Sequence, residues 1–100
     1  MRYELTIEAT AKKHLQSFLE YAQFEPAAAR FVEVLVKRVH ILRDFPKLGR
    51  LGDKIDGVQY RFLLIQKWRA IYVVDDEMRS ISIRIFLHPS QLFDISVYLE

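Results

Sequence analysis

The 100-residue sequence contains no cysteine, which excludes disulfides, thiolate metal sites and a cysteine nucleophile. It also lacks any apolar run near the roughly 20 residues that a membrane-spanning helix needs. Its start, Met-Arg-Tyr-Glu, has none of the apolar character of a secretory signal peptide. We therefore expect a cytoplasmic protein with no membrane partner.

A strong excess of charge of one sign is also missing. The chain has 15 Lys and Arg against 13 Asp and Glu, with no Lys/Arg block. Because nucleic-acid binders usually cluster their cations, this weak bias does not by itself identify one. Hydrophobic residues make up 51% and charged residues 28%, which excludes disorder and fits a globule. Without repeats or linkers, we expect one domain over residues 1–100.

The first half of the chain predicts one strand and two helices. Polar and apolar residues alternate over residues 2–7, as in a half-buried strand. Apolar residues at spacings of three and four then predict a helix, with Thr6 or Thr10 as its cap. Pro26 suits the first turn of a second helix, which must end before Pro46. Since the break between them is short, the helices should form an antiparallel hairpin.

The second half predicts a three-stranded sheet after a glycine-marked loop over residues 49–57. Residues 58–65, 68–75 and 80–87 are rich in β-branched and aromatic side chains, which favour strands. Their short connections predict antiparallel pairing. The predicted fold is therefore α+β, with an N-terminal strand, an antiparallel helical hairpin and a three-stranded antiparallel meander. These form one twisted sheet with the helices on one face.

Strict alternation in the last predicted strand assigns its two faces. Ile81, Ile83, Ile85 and Leu87 should pack on the helices, and Ser80, Ser82, Arg84, Phe86 and His88 should face away. The residues after Pro89 and Ser90 fit a short helix and a strand equally well.

This pattern resembles the RelE/ParE family of bacterial toxins over roughly residues 3–91. The resemblance is carried by Leu15, Phe18, Tyr21 and Ala22 before Pro26, Ala28 and Ala29, by Phe-Pro-Lys-Leu-Gly-Arg at 45–50, by Arg61, by Arg69 with Ile71 and Tyr72, and by the strand over 83–88 that ends in histidine. The 45–50 turn and the two strand arginines are closer to the ParE branch.

The resemblance implies a function as well as a fold. Family members are toxins of type II toxin–antitoxin systems, held inactive by an extended antitoxin with which they can form a hetero-oligomer. ParE-like members inhibit DNA gyrase, and many belong to plasmid-stabilisation modules. RelE-like members cleave mRNA on the ribosome. We therefore expect growth arrest by gyrase inhibition. A ribosome-dependent endoribonuclease is the alternative, and an inactive antitoxin-binding member is a third interpretation.

A nuclease would depend on Arg61, Arg69 and His88. The planar guanidinium matches phosphate oxygens, but it stays charged and is a poor proton acceptor. His88 is the one imidazole of the strand region and can do acid–base work near neutral pH. The resemblance also shows gaps, since Leu63 stands where nucleases place a lysine. Pro89, Ser90 and Gln91 replace an expected arginine, and Tyr98 is the only tyrosine beyond the last strand.

If the protein only binds a target, the expected contacts are Arg61, Arg69, Arg84 and His88. Structural interpretations stay open for these residues. The two strand arginines can pair with Asp53, Asp56, Asp75 or Asp76, and the histidine can cap the strand end. We expect no cofactor, and no metal because no cluster has zinc-ligand spacing.

The turn after the first meander strand decides whether the two arginines can cooperate. If Gln66 and Lys67 form a two-residue turn, Arg61 and Arg69 lie on opposite faces of the sheet. A bulge or wider turn would bring them together. Separately, an antitoxin segment can bind as a helix in a groove or as an added strand, and the strand over residues 3–7 can accept an added strand if it lies at a sheet edge.

Overall fold

The computed structural model describes residues 2–22 and 25–88, so the predicted tail after Pro89 and the position of Tyr98 lie outside the described residues. The elements are β1 (Glu4–Ile7), α1 (Ala9–Tyr21), α2 (Pro26–Val39), a 3₁₀ turn (His40–Arg43), β2 (Arg50–Ile55), β3 (Val58–Ile65), β4 (Trp68–Asp75) and β5 (Ser80–Leu87). The strands form one sheet in the order β1-β5-β4-β3-β2. The predicted α+β architecture is confirmed.

Two features of the sheet differ from the prediction. The segment expected to be a loop contributes β2, which pairs antiparallel with β3. Its glycine and charged residues give a weak strand signal, and its register shifts between Leu51 and Lys54. The sheet is also not wholly antiparallel, because β1 pairs parallel with β5. A parallel pair needs a long crossover, which the two helices provide.

Both predicted helices are present. The N-cap of α1 is Glu8, without a side-chain cap bond, so the predicted caps Thr6 and Thr10 are wrong. Thr6 lies in β1, and Thr10 is already inside the helix. Pro26 opens α2, as expected, because its fixed φ and missing N–H suit a helix start. None of the described helices is both long and apolar enough to cross a membrane.

Both helices cover the same face of the sheet, which we call the helix face. Its buried members are Ala11, Leu15, Leu35, Val39, Leu42, Ile65, Trp68, Ala70, Tyr72, Ile81, Ile83 and Phe86. An aromatic group closes one end of this core, where the Trp68 ring lies 5.1 Å from Phe18 and 5.6 Å from Phe31. Burial of large apolar side chains, at about 1.5–3 kcal/mol each, holds the helices on the sheet.

A bulge in β5 overturns the predicted division of its faces. Tyr72 of β4 pairs with Ile83, whereas the preceding Ile71 pairs with Ile85, so Arg84 is an extra residue in β5. One extra residue sends every later side chain to the other face. Ile85 therefore lies on the far face, opposite the helices, and not on the helix face.

The residues after the bulge follow the same shift. Phe86 joins the helix-face core, although strict alternation assigned it to the opposite face. Leu87 lies with Ile85 in a second cluster on the far face, together with Tyr60 and Ile71. The sheet therefore has apolar clusters on both of its faces.

Candidate target-binding surface

Arg61 lies on the helix face of β3, across from Tyr72. Its Nη1 donates hydrogen bonds to the carbonyl oxygens of Gly49 at 2.9 Å and Lys47 at 3.4 Å. Hydrogen bonds from a charged donor to carbonyls are stronger than neutral ones. This guanidinium therefore fixes the 45–50 turn against the sheet.

Tyr72 holds the same turn from beneath. Its hydroxyl donates to the carbonyl of Pro46 at 2.9 Å and accepts the N–H of Gly49 at 2.8 Å. The side chain is fully buried, and this burial raises the pKa of Tyr72. A Cβ at position 49 would lie 2.5 Å from the Tyr72 hydroxyl and 2.7 Å from the carbonyl oxygen of Phe62. Only glycine fits this close approach without rearrangement.

The turn held in this way presents apolar side chains to solvent. Phe45 is 58% exposed and Leu48 is 53% exposed. An open groove of about 500 Å³ lies beside them, lined by Tyr3, Asp44, Phe45, Pro46, Lys47 and Leu48. Exposed apolar side chains on a fixed turn are typical of protein contact sites.

The charges around this groove are largely paired. Lys47 Nζ lies 3.3 Å from Asp76 Oδ2, and the Tyr3 hydroxyl donates to Asp76 Oδ1 at 2.8 Å. The hydrogen bonds from Tyr3 and Lys47 lower the pKa of Asp76, and the same bond to Asp76 raises the pKa of Tyr3. Arg2 donates to Asp44 at 3.0 Å. The groove is thus nearly neutral.

Arg69 lies on the far face, opposite Leu64 in β3 and Leu87 in β5. Ile65 pairs directly with Trp68, so the intervening turn has two residues. With this register, Arg61 and Arg69 point to opposite faces. One site built from both guanidinium groups is therefore excluded.

His88 follows β5 and is exposed. Its ring centroid lies 5.1 Å from that of Trp68, with the planes nearly perpendicular at 87°. Trp68 is itself 8% exposed and belongs to the helix-face core. Because Arg69 pairs with Leu87, His88 and Arg69 share one end of the sheet.

Arg84 occupies the β5 bulge, near the start of α1. Its Nε lies 3.5 Å from Glu8 Oε1, and the two side chains are 35% and 38% exposed. The four predicted target contacts therefore lie at three places. Arg61 lies at the 45–50 turn, Arg84 beside Glu8, and Arg69 with His88 at the opposite sheet end.

Arg50 was not selected from the sequence, yet it shares the far face with Arg69. It opens β2 and pairs with Phe62, which belongs to the apolar side of that face. The sequence assigned Arg50 to the 45–50 turn and gave no sign that it lies in a strand. Only the pairing register of an unpredicted strand reveals it.

His14 has a structural partner that the sequence did not indicate. The backbone N–H of Phe86 donates to His14 Nδ1 at 3.4 Å, and burial lowers the pKa of His14. This acceptor role requires Nδ1 to carry no proton. Among residues 2–22 and 25–88, no group of three or more His, Asp or Glu could hold a metal ion.

Comparison with known proteins defines the class of this protein. Residues 5–93 match the family described as the ParE toxin of the type II toxin–antitoxin system, parDE. The chain therefore belongs to the RelE/ParE toxins and is a toxin of a type II toxin–antitoxin system. No curated protein matches its sequence.

Two solved structures share the fold. The toxin–antitoxin complex RelBE2 from Mycobacterium tuberculosis aligns with a TM-score of 0.67 and 18% identity, over 91% of this chain and 95% of that one. The archaeal RelE–RelB complex from Pyrococcus horikoshii OT3 aligns with a TM-score of 0.65 and 18% identity, over 92% and 100%. At this identity, the likeness supports the fold.

Proposed function

We propose that this toxin arrests growth by binding DNA gyrase, with no chemistry of its own. The observation that carries the proposal is the β3–β4 register, which places Arg61 and Arg69 on opposite faces. Cleavage of RNA needs a proton acceptor and a stabiliser of the crowded phosphate at one place. Arg61 is instead bound to the carbonyls of the 45–50 turn.

The surface suits binding better than catalysis. Arg50 and Arg69 place two guanidinium groups on the far face, and the 45–50 turn offers Phe45 and Leu48. Arginine and aromatic side chains are the usual anchors of protein interfaces. The family to which the chain belongs is consistent with this choice.

Plasmid supercoiling by purified gyrase tests this function. The wild-type protein should inhibit supercoiling. The double variant Arg50→Ala, Arg69→Ala should weaken inhibition about thirtyfold or more, since each lost interface anchor costs about 1 kcal/mol or more. Arg38→Ala, an exposed arginine of α2, is the matched control and should inhibit normally. Folded protein that arrests growth but leaves supercoiling unchanged would contradict gyrase binding.

An endoribonuclease is the second candidate, because Trp68, Arg69 and His88 lie at the same end of the sheet. Cleavage of mRNA on stalled ribosomes tests it directly. Loss of cleavage in both Arg69→Ala and His88→Ala, with Arg38→Ala active, would favour this mechanism. No cleavage by wild-type protein would eliminate it. Harmless overexpression without a partner would instead indicate an inactive antitoxin-binding member.

A cognate antitoxin is the expected partner, and both similar structures are toxin–antitoxin complexes. We place its added strand at β1, which is a sheet edge as anticipated. The N–H groups of Glu4 and Glu8 donate to the carbonyls of Arg79 and Ile83, on the β5 side of β1. Because backbone N–H groups alternate in direction along a strand, those of Leu5 and Ile7 point to the open edge of the sheet. This edge is short, since the Tyr3 N–H already bonds to the Arg43 carbonyl.

Amide exchange of the toxin, free and in complex, locates the antitoxin strand. Leu5 and Ile7 should gain protection in the complex, while Thr6 should change little. New protection within β2, the other and longer edge, would show that the antitoxin binds there instead.

A further inference from the structure

Two residues of the turn between β3 and β4 have a backbone conformation that their side chains do not favour. Gln66 and Lys67 have φ of 47° and 75°. Both lie in the left-handed region, which glycine, asparagine and aspartate adopt most readily. The β2–β3 turn has Asp56 and Gly57 at the equivalent positions, so the same sheet shows which residues this turn prefers. The β3–β4 turn keeps two long polar side chains at a cost in stability.

Strained residues concentrate at functional sites, where their side chains serve a purpose other than folding. Gln66 and Lys67 are both exposed, so neither contributes to the core. The flanking Ile65 and Trp68 are buried and pair directly with each other. These two residues would close the hairpin equally well around a glycine. The strain therefore indicates that the turn side chains have a use outside the fold.

An exposed apolar side chain lies beside this turn. Leu64 pairs with Arg69 on the far face, and it is 52% exposed. The Cβ atoms of directly paired residues lie about 4.5–5.5 Å apart, so the leucine and the arginine form one patch. We call Leu64, Gln66, Lys67 and Arg69 the hairpin tip. It joins an apolar contact to two positive charges.

The charges of the β-meander are divided between its two ends. Residues 57–74 include three cations, two of them in the hairpin tip, and no acidic residue. Asp56 lies in the β2–β3 turn, and the acidic residues 75–77 lie at the β4–β5 turn. Because successive turns of a meander lie at opposite ends of the sheet, these acids are remote from the hairpin tip. The tip therefore favours a negatively charged partner.

We infer that the hairpin tip is the part of this toxin that contacts its target, through an acidic protein surface with an apolar pocket for Leu64. The inference rests on the proposed function, in which that target is gyrase. A phosphate backbone would suit Lys67 and Arg69 but offers no apolar contact to Leu64. A second copy of the chain is disfavoured as the partner, because two tips would bring like charges together.

Substitution of Lys67 separates target binding from folding. Lys67→Gly removes both the strain and the charge, so the protein should unfold at no lower temperature than wild type. Its inhibition of purified gyrase should nevertheless weaken about fivefold or more. Lys67→Arg keeps a positive charge and should recover most of the inhibition. Lys37→Ala, which removes an exposed lysine of α2, is the matched control and should inhibit normally.

Substitution of Leu64 tests the apolar part of the hairpin tip. Leu64→Ala should weaken the inhibition of gyrase by a similar factor, because it removes the side chain that enters the pocket of the partner. Leu51→Ala is the matched control, since this leucine of β2 is 64% exposed but lies outside the tip. It should inhibit normally.

The outcomes distinguish the hairpin tip from the choice of target. Full inhibition by Lys67→Gly and by Leu64→Ala would refute the tip and leave gyrase as the target. If wild type arrests growth without inhibiting gyrase, the proposed function is wrong, and the growth arrest by the same two variants decides: lost arrest supports the tip, and undiminished arrest refutes it. A wild-type protein that does neither would overturn both proposals.

Binding to a single-stranded RNA oligonucleotide tests the kind of partner. Wild type and Lys67→Gly should not differ in this binding. Loss of RNA binding in Lys67→Gly, with its gyrase inhibition unchanged, would make the tip a nucleic-acid contact and refute the protein partner.

Discussion

Gly49 and Tyr72 show how single residues fix the surface that this toxin presents. The Tyr72 hydroxyl accepts the Gly49 N–H and donates to Pro46, and Arg61 bonds to the Gly49 carbonyl. A buried N–H left without a partner costs about 1–3 kcal/mol. The position of Phe45 and Leu48 therefore depends on contacts made beneath the turn.

Gly49→Ala should destabilise the protein by about 1–3 kcal/mol, because the new methyl would collide with Tyr72 and with backbone at Phe62. Gly52→Ala is the matched control, since its Cβ would meet nothing closer than 3.4 Å. Denaturant unfolding measures both. Equal effects of the two substitutions would show that the close approach at Gly49 is unimportant.

His14 should make stability depend on pH. Burial lowers the pKa of His14 in the native protein below the ordinary 6.5. At a pH between the native pKa and 6.5, the unfolded chain therefore binds more protons than the native one. The contribution of neutral His14 to the free energy of unfolding is complete above pH 6.5. It declines as the pH falls toward the pKa of His14 in the native protein, and below that pKa it declines no further. Protonation of Nδ1 also removes the acceptor for the Phe86 N–H.

The measurement is the difference in unfolding free energy between wild type and His14→Gln from pH 7.5 to pH 5. The wild-type advantage should shrink as pH falls, because other titrations cancel in the difference. A constant difference would contradict the role assigned to His14.

At the scale of elements, the two hairpin turns of two residues each differ in how well their residues suit a positive φ. Asp56 and Gly57, with φ of 51° and 80°, form the β2–β3 turn, and Asp-Gly is favoured at such positions. Gln66 and Lys67, with φ of 47° and 75°, adopt the same left-handed conformation between β3 and β4. A side chain other than glycine is strained there. This strained turn fixes the register that separates the two arginines.

Lys67→Gly should therefore stabilise the protein by about 0.5–1 kcal/mol, because glycine adopts positive φ freely. Gly57→Ala is the mirror control and should destabilise by a similar amount, since its Cβ meets nothing within 4 Å and only backbone strain is added. Thermal unfolding can compare them. A loss of stability in Lys67→Gly would mean that the Lys67 side chain contributes more than its strain costs.

At the scale of the whole molecule, the sheet is packed on both faces. Ile83 and Ile85 are each 0% exposed, yet the β5 bulge places them on opposite faces. The helices bury the first, and the second lies in the far-face cluster. The two-faced core explains why every strand of the central β3–β5 unit is strongly apolar.

Ile85→Ala should cost about 2–5 kcal/mol, close to the cost of Ile83→Ala, because both remove a fully buried side chain. Chemical denaturation of the full-length protein provides the comparison. A cost for Ile85→Ala that is near zero, with a large cost for Ile83→Ala, would show that only the helix face is a true core.

The sequence by itself determined the class of this protein and most of its elements, β2 being the strand that it did not predict. Alternation over residues 2–7, the apolar helical stripes and Pro26 specify their elements through local periodicity and backbone chemistry. The order of these signals, with the 45–50 turn and the strand arginines, was sufficient to indicate the RelE/ParE family.

Tertiary structure decided which side chains meet. The extra residue at Arg84 moved Ile85 to the far face, and β2 formed because β3 offered it a pairing edge. Neither feature has a local sequence signal, since a bulge is a choice of register between two strands. Strand pairing places Arg61 and Arg69 on opposite faces of the sheet, and it places Arg50 on the same face as Arg69. Both positions depend on contacts between strands, which the sequence of a single strand does not specify.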